Sequence, residues 1–433
     1  MRSLSNNSNF YSTSLFRRSV DKTTRTYLII FLFTILSGVL RKWVFTSYAV
    51  GNIIFFFQLL VPYLLFTNEN FKYNKVLTNK LVVFFLIYII AGAFNPLQKT
   101  ALHGGVGVLL HLSFWFLAFF YIENREYVDA RKWIFTLVVV AFGEIVLGFI
   151  QYGLPQRHFI NRYAAEQNVG NIIAEVGTAV RITGTFSYIT GFSSYLLFHA
   201  LFVWGLIIYQ YRPAVTLSLM LGGLVACFMN GSRGATYVYI LIMVFFLIFE
   251  ARKTNISSFI LRLIVPFMVV YLVVLARGQL GLETTVSTAF DNFQVRRESL
   301  AESGEEKNRL FWDYYALRDF RGQYPLFGIG IGATYQGAIV LWGMSEALIE
   351  YGYIESEMER YVVEGGFVLL FIRLLLTYYL CISLTVPWQT KWLIGGLTFI
   401  APITFNIFNI VFFMIGIIFL DQAYYHKKIG LKV

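Results

Sequence analysis

The sequence predicts an all-α polytopic membrane protein of about twelve transmembrane helices with one large, partly helical outer loop. Three observations carry this. Hydrophobic residues make up 57% of the 433-residue chain and charged residues 14%, with a mean hydropathy of +0.63, whereas soluble domains are roughly 25% charged. Apolar runs recur at close to the ~20 residues a helix needs to cross a bilayer. One long polar interval, 277–361, interrupts them and holds eight of the 35 Lys and Arg residues: Arg277, Arg296, Arg297, Lys307, Arg309, Arg318, Arg321 and Arg360. A loop of that length beside packed helices is usually functional rather than a connector.

Taken in order, residues 1–26 are polar and rich in Asn and Ser, with no small-residue cleavage site after a short apolar core, which reads as a cytoplasmic tail. Nine spans follow within 27–276: 27–46, 50–67, 80–96, 104–121, 133–153, 188–209, 214–230, 235–250 and 257–276, with an outer loop at 154–187. After the polar interval 277–361, three more lie within 362–423, at 362–383, 391–406 and 407–423, and residues 424–433 form a C-terminal tail. Lys and Arg set the orientation. Arg2, Arg17, Arg18, Lys22 and Arg25, the short-loop cations Lys72, Lys75, Arg125, Arg131, Lys132, Arg212, Arg252 and Lys253, and the terminal Lys427, Lys428 and Lys432 all fall on one side if the count is twelve. Both termini are then cytoplasmic, and 154–187, 231–234 and 277–361 face outward. Arg41-Lys42, after the first span, is the exception. The net charge of +11 is explained by this topology before any nucleic acid is invoked. Cys227 and Cys381 both sit in apolar segments and suggest neither a disulfide framework nor a metal site. No internal repeat is evident, so an inverted-repeat transporter is not indicated.

Three outward segments each carry an arginine in a turn-like setting: Arg181 in RITGTFSY, Arg233 in NGSRGA and Arg309 in NRLFW. Arg309 opens an expected amphipathic helix with Leu310, Phe311, Tyr314, Leu317 and Phe320 at helical spacing. A guanidinium is permanently charged and matches phosphate oxygens bidentately, so convergent arginines at a membrane surface suit a lipid-linked phosphate. Snorkelling or capping a helix end is the plainer account of each alone. Downstream, Pro325-Leu-Phe-Gly328-Ile-Gly330-Ile-Gly332 places glycines at alternate positions, fitting either a turn or a close approach to a ligand. No Lys-Ser/Thr follows, so it is not a nucleotide loop. Next, Glu355, Glu357, Glu359 and Arg360 precede Glu364-Gly365-Gly366 at the tenth span. On a helix Glu355 and Glu359 would share a face; paired carboxylates are the arrangement in which one can act as general base. A local pair with Arg360 is the plainer reading of Glu357, and the helix dipole that of Glu364. Glu144 and Arg373 lie inside apolar spans and should pair within the bundle.

In this order, Arg181-x-x-Gly-Thr-Phe-Ser, Ser232-Arg233-Gly234, Arg309 ahead of Trp312, the P-L-x-G-x-G-x-G stretch and Glu364-Gly-Gly resemble the O-antigen ligase and polymerase family of membrane glycosyltransferases, across roughly residues 133–383. The resemblance implies an enzyme without cofactor or metal. It would polymerise or transfer undecaprenyl-diphosphate-linked oligosaccharide to a glycan acceptor at the outer, periplasmic face of the bacterial cytoplasmic membrane, in O-antigen or exopolysaccharide synthesis. It also implies a chain-length regulator as partner. Arg181, Arg233 and Arg309 match the family's diphosphate-binding arginines, with Gly328, Gly330, Gly332, Arg360 and Glu364 in support. The ligases carry a His-Asn pair at the position of Glu355-Ser356, and none of the five histidines falls in 277–361. That departure favours a polymerase over a ligase and leaves Glu355, Glu357 or neither as base. Fixed arginines would stabilise charge developing on the leaving diphosphate, in place of a divalent ion, while a loop carboxylate prepares the acceptor hydroxyl for inverting attack. A protein oligosaccharyltransferase of the same family, or a flippase for a lipid-linked glycan, are the alternatives.

Overall fold

A computed structural model of the chain describes residues 5–67, 79–164, 175–176, 179–251, 324–335, 343, 349, 356–400, 403 and 407–430. In chain order these form α1 (Ser5–Val39), α2 (Tyr48–Leu60), α3 (Lys80–Ala93), α4 (Ala101–Glu123), α5 (Ile134–Gly153), β1 (Glu175–Val176) paired antiparallel with β2 (Ala179–Val180), α6 (Ile189–Ile208), α7 (Pro213–Asn230), α8 (Arg233–Ala251), α9 (Glu357–Ser383), α10 (Trp388–Ile400) and α11 (Ile407–Lys428). Eight of the helical stretches described are long and apolar enough to cross a membrane, and Lys80–Ala93 and Arg233–Phe249 are shorter apolar helices. The chain is an all-α membrane protein. The expected span 257–276 and most of the polar interval, Arg309 and Glu355 included, lie outside the described residues. Helix α1 begins well before residue 27, within the stretch read as a tail.

The chain divides into two compact units. The first comprises Met1–Phe31, Phe57–Ala130 and Asn308–Met414. In it α9 packs on α3, α4 and α10. Asn79 caps α3 by accepting from the Leu81 amide at 3.0 Å, and Thr100 caps α4 through the His103 amide at 3.4 Å. Helix α4 is apolar all round and buried on almost every face from Leu110 to Tyr121, as expected of a helix inside a bundle. Its Phe114 ring stacks on Phe413 at 5.9 Å, and the Tyr27 hydroxyl donates to the Leu117 carbonyl at 3.1 Å.

Helix α9 starts earlier than the hydropathy suggests, at Glu357, because Ser356 caps it by accepting from the Glu359 amide at 3.1 Å. Glu364 therefore stands two turns inside the helix instead of opening it. Two residues later the helix breaks at Gly366, whose backbone (φ 68°, ψ −177°) only glycine adopts readily.

The second unit comprises Leu32–Phe56, Arg131–Lys307 and Ile415–Val433. Helix α6 packs on α7 and α8, and α5 on α7. Pro213 opens α7, and Gly231 ends it in the left-handed region at φ 65°. Only Gly231 and Ser232 then separate α7 from α8, the tight turn expected at 231–234. The end of α11 is tied to α6 and the residues just after it: Trp204 donates to the Tyr424 hydroxyl at 3.3 Å, and Tyr209 and the His426 ring share a hydrogen bond at 2.9 Å.

Candidate functional site

In the second unit the R-x-x-G-T-F-S stretch, 181–187, is non-helical chain lying among helix ends, so its backbone polar groups must find partners there. They do. The Ile182 amide donates to the Met229 carbonyl at 3.3 Å, and its carbonyl accepts from Asn230 Nδ2 at 2.8 Å. Gln151 Oε1 accepts from the Thr183 and Gly184 amides at 3.0 and 2.7 Å, while its Nε2 donates to the Gly184 carbonyl at 2.9 Å. Glu144 accepts from the Thr185 amide at 3.0 Å and from its hydroxyl at 2.5 Å. Lys42, 1% exposed, donates to Thr183 Oγ1 at 2.6 Å and to the Gly184 carbonyl at 3.1 Å. Buried side chains from α5 and α7 and from the end of α1 thus take the place of secondary structure. The motif residues answer to this. Both Thr183 and Thr185 are bonded through their hydroxyls, and Phe186 packs on Phe192 and Tyr195.

This scaffold holds Arg181 at the turn where Arg233 begins α8. Arg181 Nε donates to the Asn230 carbonyl, the last of α7, at 2.9 Å. Arg233, three residues on, is the first residue of α8 and is 8% exposed. Residues separated by about fifty positions in sequence are thereby brought to the same turn. The α6 and α8 N-termini open at this end of the unit, where helix dipoles favour negative charge.

In the first unit Glu364, fully buried, accepts five hydrogen bonds: from Arg360 Nε (3.1 Å), His111 Nε2 (2.7 Å), the Gly332 amide (2.8 Å), the Thr334 amide (3.2 Å) and the Thr334 hydroxyl. The Arg360 guanidinium and the two amides can only donate, so the carboxylate meets them as an acceptor. The glycine stretch is pinned against the break in α9. The amides of Ile329 and Gly330 donate to the Val363 and Glu364 carbonyls at 2.9 and 3.0 Å, and those of Phe367 and Val368 donate to Pro325 and Leu326 at 2.8 and 3.4 Å. The Tyr88 hydroxyl takes the Gly365 carbonyl at 2.5 Å, and Gln98 the Ile331 carbonyl. The Val363, Glu364 and Gly365 carbonyls and the Phe367 and Val368 amides at the break thus have partners within the protein. Gly328, Gly330 and Gly332 all have positive φ (67°, 123° and 88°). At Gly332 the backbone lies so close to α4 that a Cβ on Gly107 would come within 2.5 Å of its Cα.

Arg373 Nη1 bonds Glu357 Oε1 at 2.6 Å, Nη2 bonds the Thr398 carbonyl, and the guanidinium lies over the Tyr361 ring at 4.1 Å. The local Glu357–Arg360 pair expected from spacing gives way to two others: Glu357 with Arg373, and Arg360 with Glu364. Their cause is the burial of both carboxylates, at 2% and 0% exposure, which requires each to have a cation in contact.

No family model, curated protein or solved structure matches this chain.

Of the residues singled out from sequence, the structure gathers Gly328, Gly330, Gly332, Arg360 and Glu364 into one network and brings Arg181 and Arg233 to one turn. Arg309 and Glu355 lie outside the described residues. Glu144 and Arg373 are paired inside their units, as their place in apolar spans suggested. Sequence reasoning missed His111, one of few polar residues in an apolar helix, and Gln151 and Asn230, near the ends of α5 and α7. It also set aside Arg41-Lys42 as a topological exception.

Proposed function

We propose that the protein is a membrane glycosyltransferase that polymerises undecaprenyl-diphosphate-linked oligosaccharide units. It acts at the outer face of the bacterial cytoplasmic membrane, as a twelve-span protein with both termini cytoplasmic, in O-antigen or exopolysaccharide synthesis. The observation that carries this reading is the convergence of Arg181 and Arg233 on the α7–α8 turn, bridged by the hydrogen bond from Arg181 to Asn230. A guanidinium held by a hydrogen bond, as Arg181 is, and one enclosed at 8% exposure, as Arg233 is, need little reorganisation as charge collects on a departing diphosphate, which is the condition for electrostatic catalysis. The order of motifs supports the same reading, as does the burial of the R-x-x-G-T-F-S scaffold that holds Arg181. Arg309 is the third cation in this proposal, and Glu355 the carboxylate that prepares the acceptor. Glu357 is tied to Arg373 and serves to hold the start of α9.

One observation favours a transporter: α9 is discontinuous beside buried charges, as transport helices often are. The 324–335 stretch, however, occupies the Val363 and Glu364 carbonyls and the Phe367 and Val368 amides at the break, where a transported ion or substrate would bind.

The test is reconstitution of the purified protein in liposomes with a lipid-linked repeat unit, with products resolved by size. A ladder of polymer is expected. A single transfer to an added acceptor would point to a ligase, and movement of the lipid across the bilayer without transfer would overturn the enzyme reading.

A further inference from the structure

The end of α1 is built onto the stretch that holds Arg181, and neither Arg41 nor Lys42 is accounted for by topology. Helix α1 stops being α-helical at Val39, and Leu40–Val44 forms a π-helical turn closed by the Phe45 amide on the Leu40 carbonyl at 2.6 Å. Such turns are rare and concentrate at functional sites. The approach is close: a Cβ on Gly38 would lie 2.5 Å from the Thr185 carbonyl oxygen. From this turn two adjacent cations reach opposite ends of one short stretch. Lys42 is buried on Thr183 and Gly184, whereas Arg41, half-buried, donates to Ser187 Oγ at 3.4 Å and lies over the Phe55 ring at 5.4 Å. Among the described residues, the acidic side chain bonded to this stretch is Glu144, through Thr185. Arg41, Lys42 and Arg181 therefore share seven residues of chain, 181–187, with Arg233 on the turn that Arg181 touches.

We propose that Arg41 is a further phosphate-binding residue of this site, contributing a guanidinium to the same anion as Arg181 and Arg233, and that Lys42 is its positioning residue. The inference rests on the reading of the site as one for a lipid-linked diphosphate. The division of labour follows from burial. Lys42, enclosed and doubly bonded, fixes the Thr183–Gly184 backbone. Arg41 keeps contact with the surface, and a planar fork can bind phosphate oxygens while one nitrogen stays on Ser187.

The experiment measures binding of undecaprenyl diphosphate to the detergent-purified full chain, with undecaprenol, inorganic pyrophosphate and phosphatidylglycerol as separate arms. Arg41→Gln, Arg41→Lys, Arg181→Gln and the remote Lys132→Gln are compared with the parent protein. The expected result is binding of the diphosphate lipid that Arg41→Gln and Arg181→Gln each weaken by about 10-fold or more, the loss expected when one charge-assisted contact goes. Arg41→Lys should keep part of the affinity and Lys132→Gln all of it. Parent-like binding by Arg41→Gln alongside weakened Arg181→Gln would overturn the role of Arg41 and leave the site standing. No binding by the parent protein would overturn both. Equal binding of phosphatidylglycerol would reassign the site to bulk lipid headgroups. Unliganded melting of Arg41→Gln separates lost binding from lost folding; if that variant does not fold, retention of full affinity by Arg41→Lys would count against the guanidinium.

Discussion

Replacing Glu364 by Gln removes the charge from a carboxylate that accepts five hydrogen bonds. Arg360, 2% exposed, is then a buried cation facing an amide, and breaking a buried pair in this way costs about 3–5 kcal/mol. The amide also presents an N–H₂ to donors whichever way it turns. In one orientation it meets His111 and Gly332; in the other, Arg360 and Thr334. Each orphaned donor costs about 1–3 kcal/mol, partly overlapping the first term. A net loss of about 4 kcal/mol corresponds to roughly a thousand-fold change in the folding equilibrium. Thr334→Val removes one hydroxyl bond to the same carboxylate and should cost about 1.5–3 kcal/mol. The assay is unfolding in mixed detergent–SDS micelles, followed by tryptophan fluorescence. Glu364→Gln should unfold at a clearly lower SDS fraction than Thr334→Val, and both below the parent protein. An unchanged midpoint for Glu364→Gln, or one above that of Thr334→Val, would refute the argument that this carboxylate locks the glycine stretch to α9.

Three further outcomes follow from the same geometry. Arg373→Met alone should destabilise by about 3–5 kcal/mol by stranding Glu357, whereas Glu357→Leu with Arg373→Met should recover most of that loss, a coupling readable in a double-mutant cycle by SDS unfolding. Gly366→Ala should cost at least about 1–3 kcal/mol from its backbone conformation alone, and more because the new Cβ would fall on the Leu326 carbonyl, lowering the yield of folded protein in size-exclusion chromatography. Gln151→Leu should orphan the Thr183 and Gly184 amides at about 1–3 kcal/mol each, and exposure of that stretch should appear as faster amide exchange at 183–184 by mass spectrometry.

The long apolar helices among the described residues were legible because length and apolarity decide them, and the tight α7–α8 turn because Asn-Gly-Ser between two apolar runs marks it. The start of α9 was also available, in Ser356-x-x-Glu359, yet hydropathy placed it five residues later because Glu357, Glu359 and Arg360 look like solvent-facing charges until their partners are known. Arg360 finds Glu364 one turn on, but the other partners lie out of local reach. Arg373 meets Glu357 across four turns of helix, and His111 reaches Glu364 from more than two hundred residues away. The glycine stretch announced a turn or a close backbone approach without a location; its place is set by the broken α9, which needs donors and acceptors supplied from elsewhere. Lys42 was hidden by its charge, which reads as topology until Thr183 and Gly184 are seen beside it.

The central claim is that Arg181 and Arg233 stabilise charge on a leaving diphosphate. Single-turnover transfer from a radiolabelled lipid-linked repeat unit, at saturating donor, tests it most directly. Arg181→Gln and Arg233→Gln proteins of normal melting behaviour should each lose roughly 100-fold or more in the rate of the chemical step, as removal of a preorganised transition-state donor does elsewhere. Rates equal to that of the parent protein, in variants shown to be folded, would contradict the account.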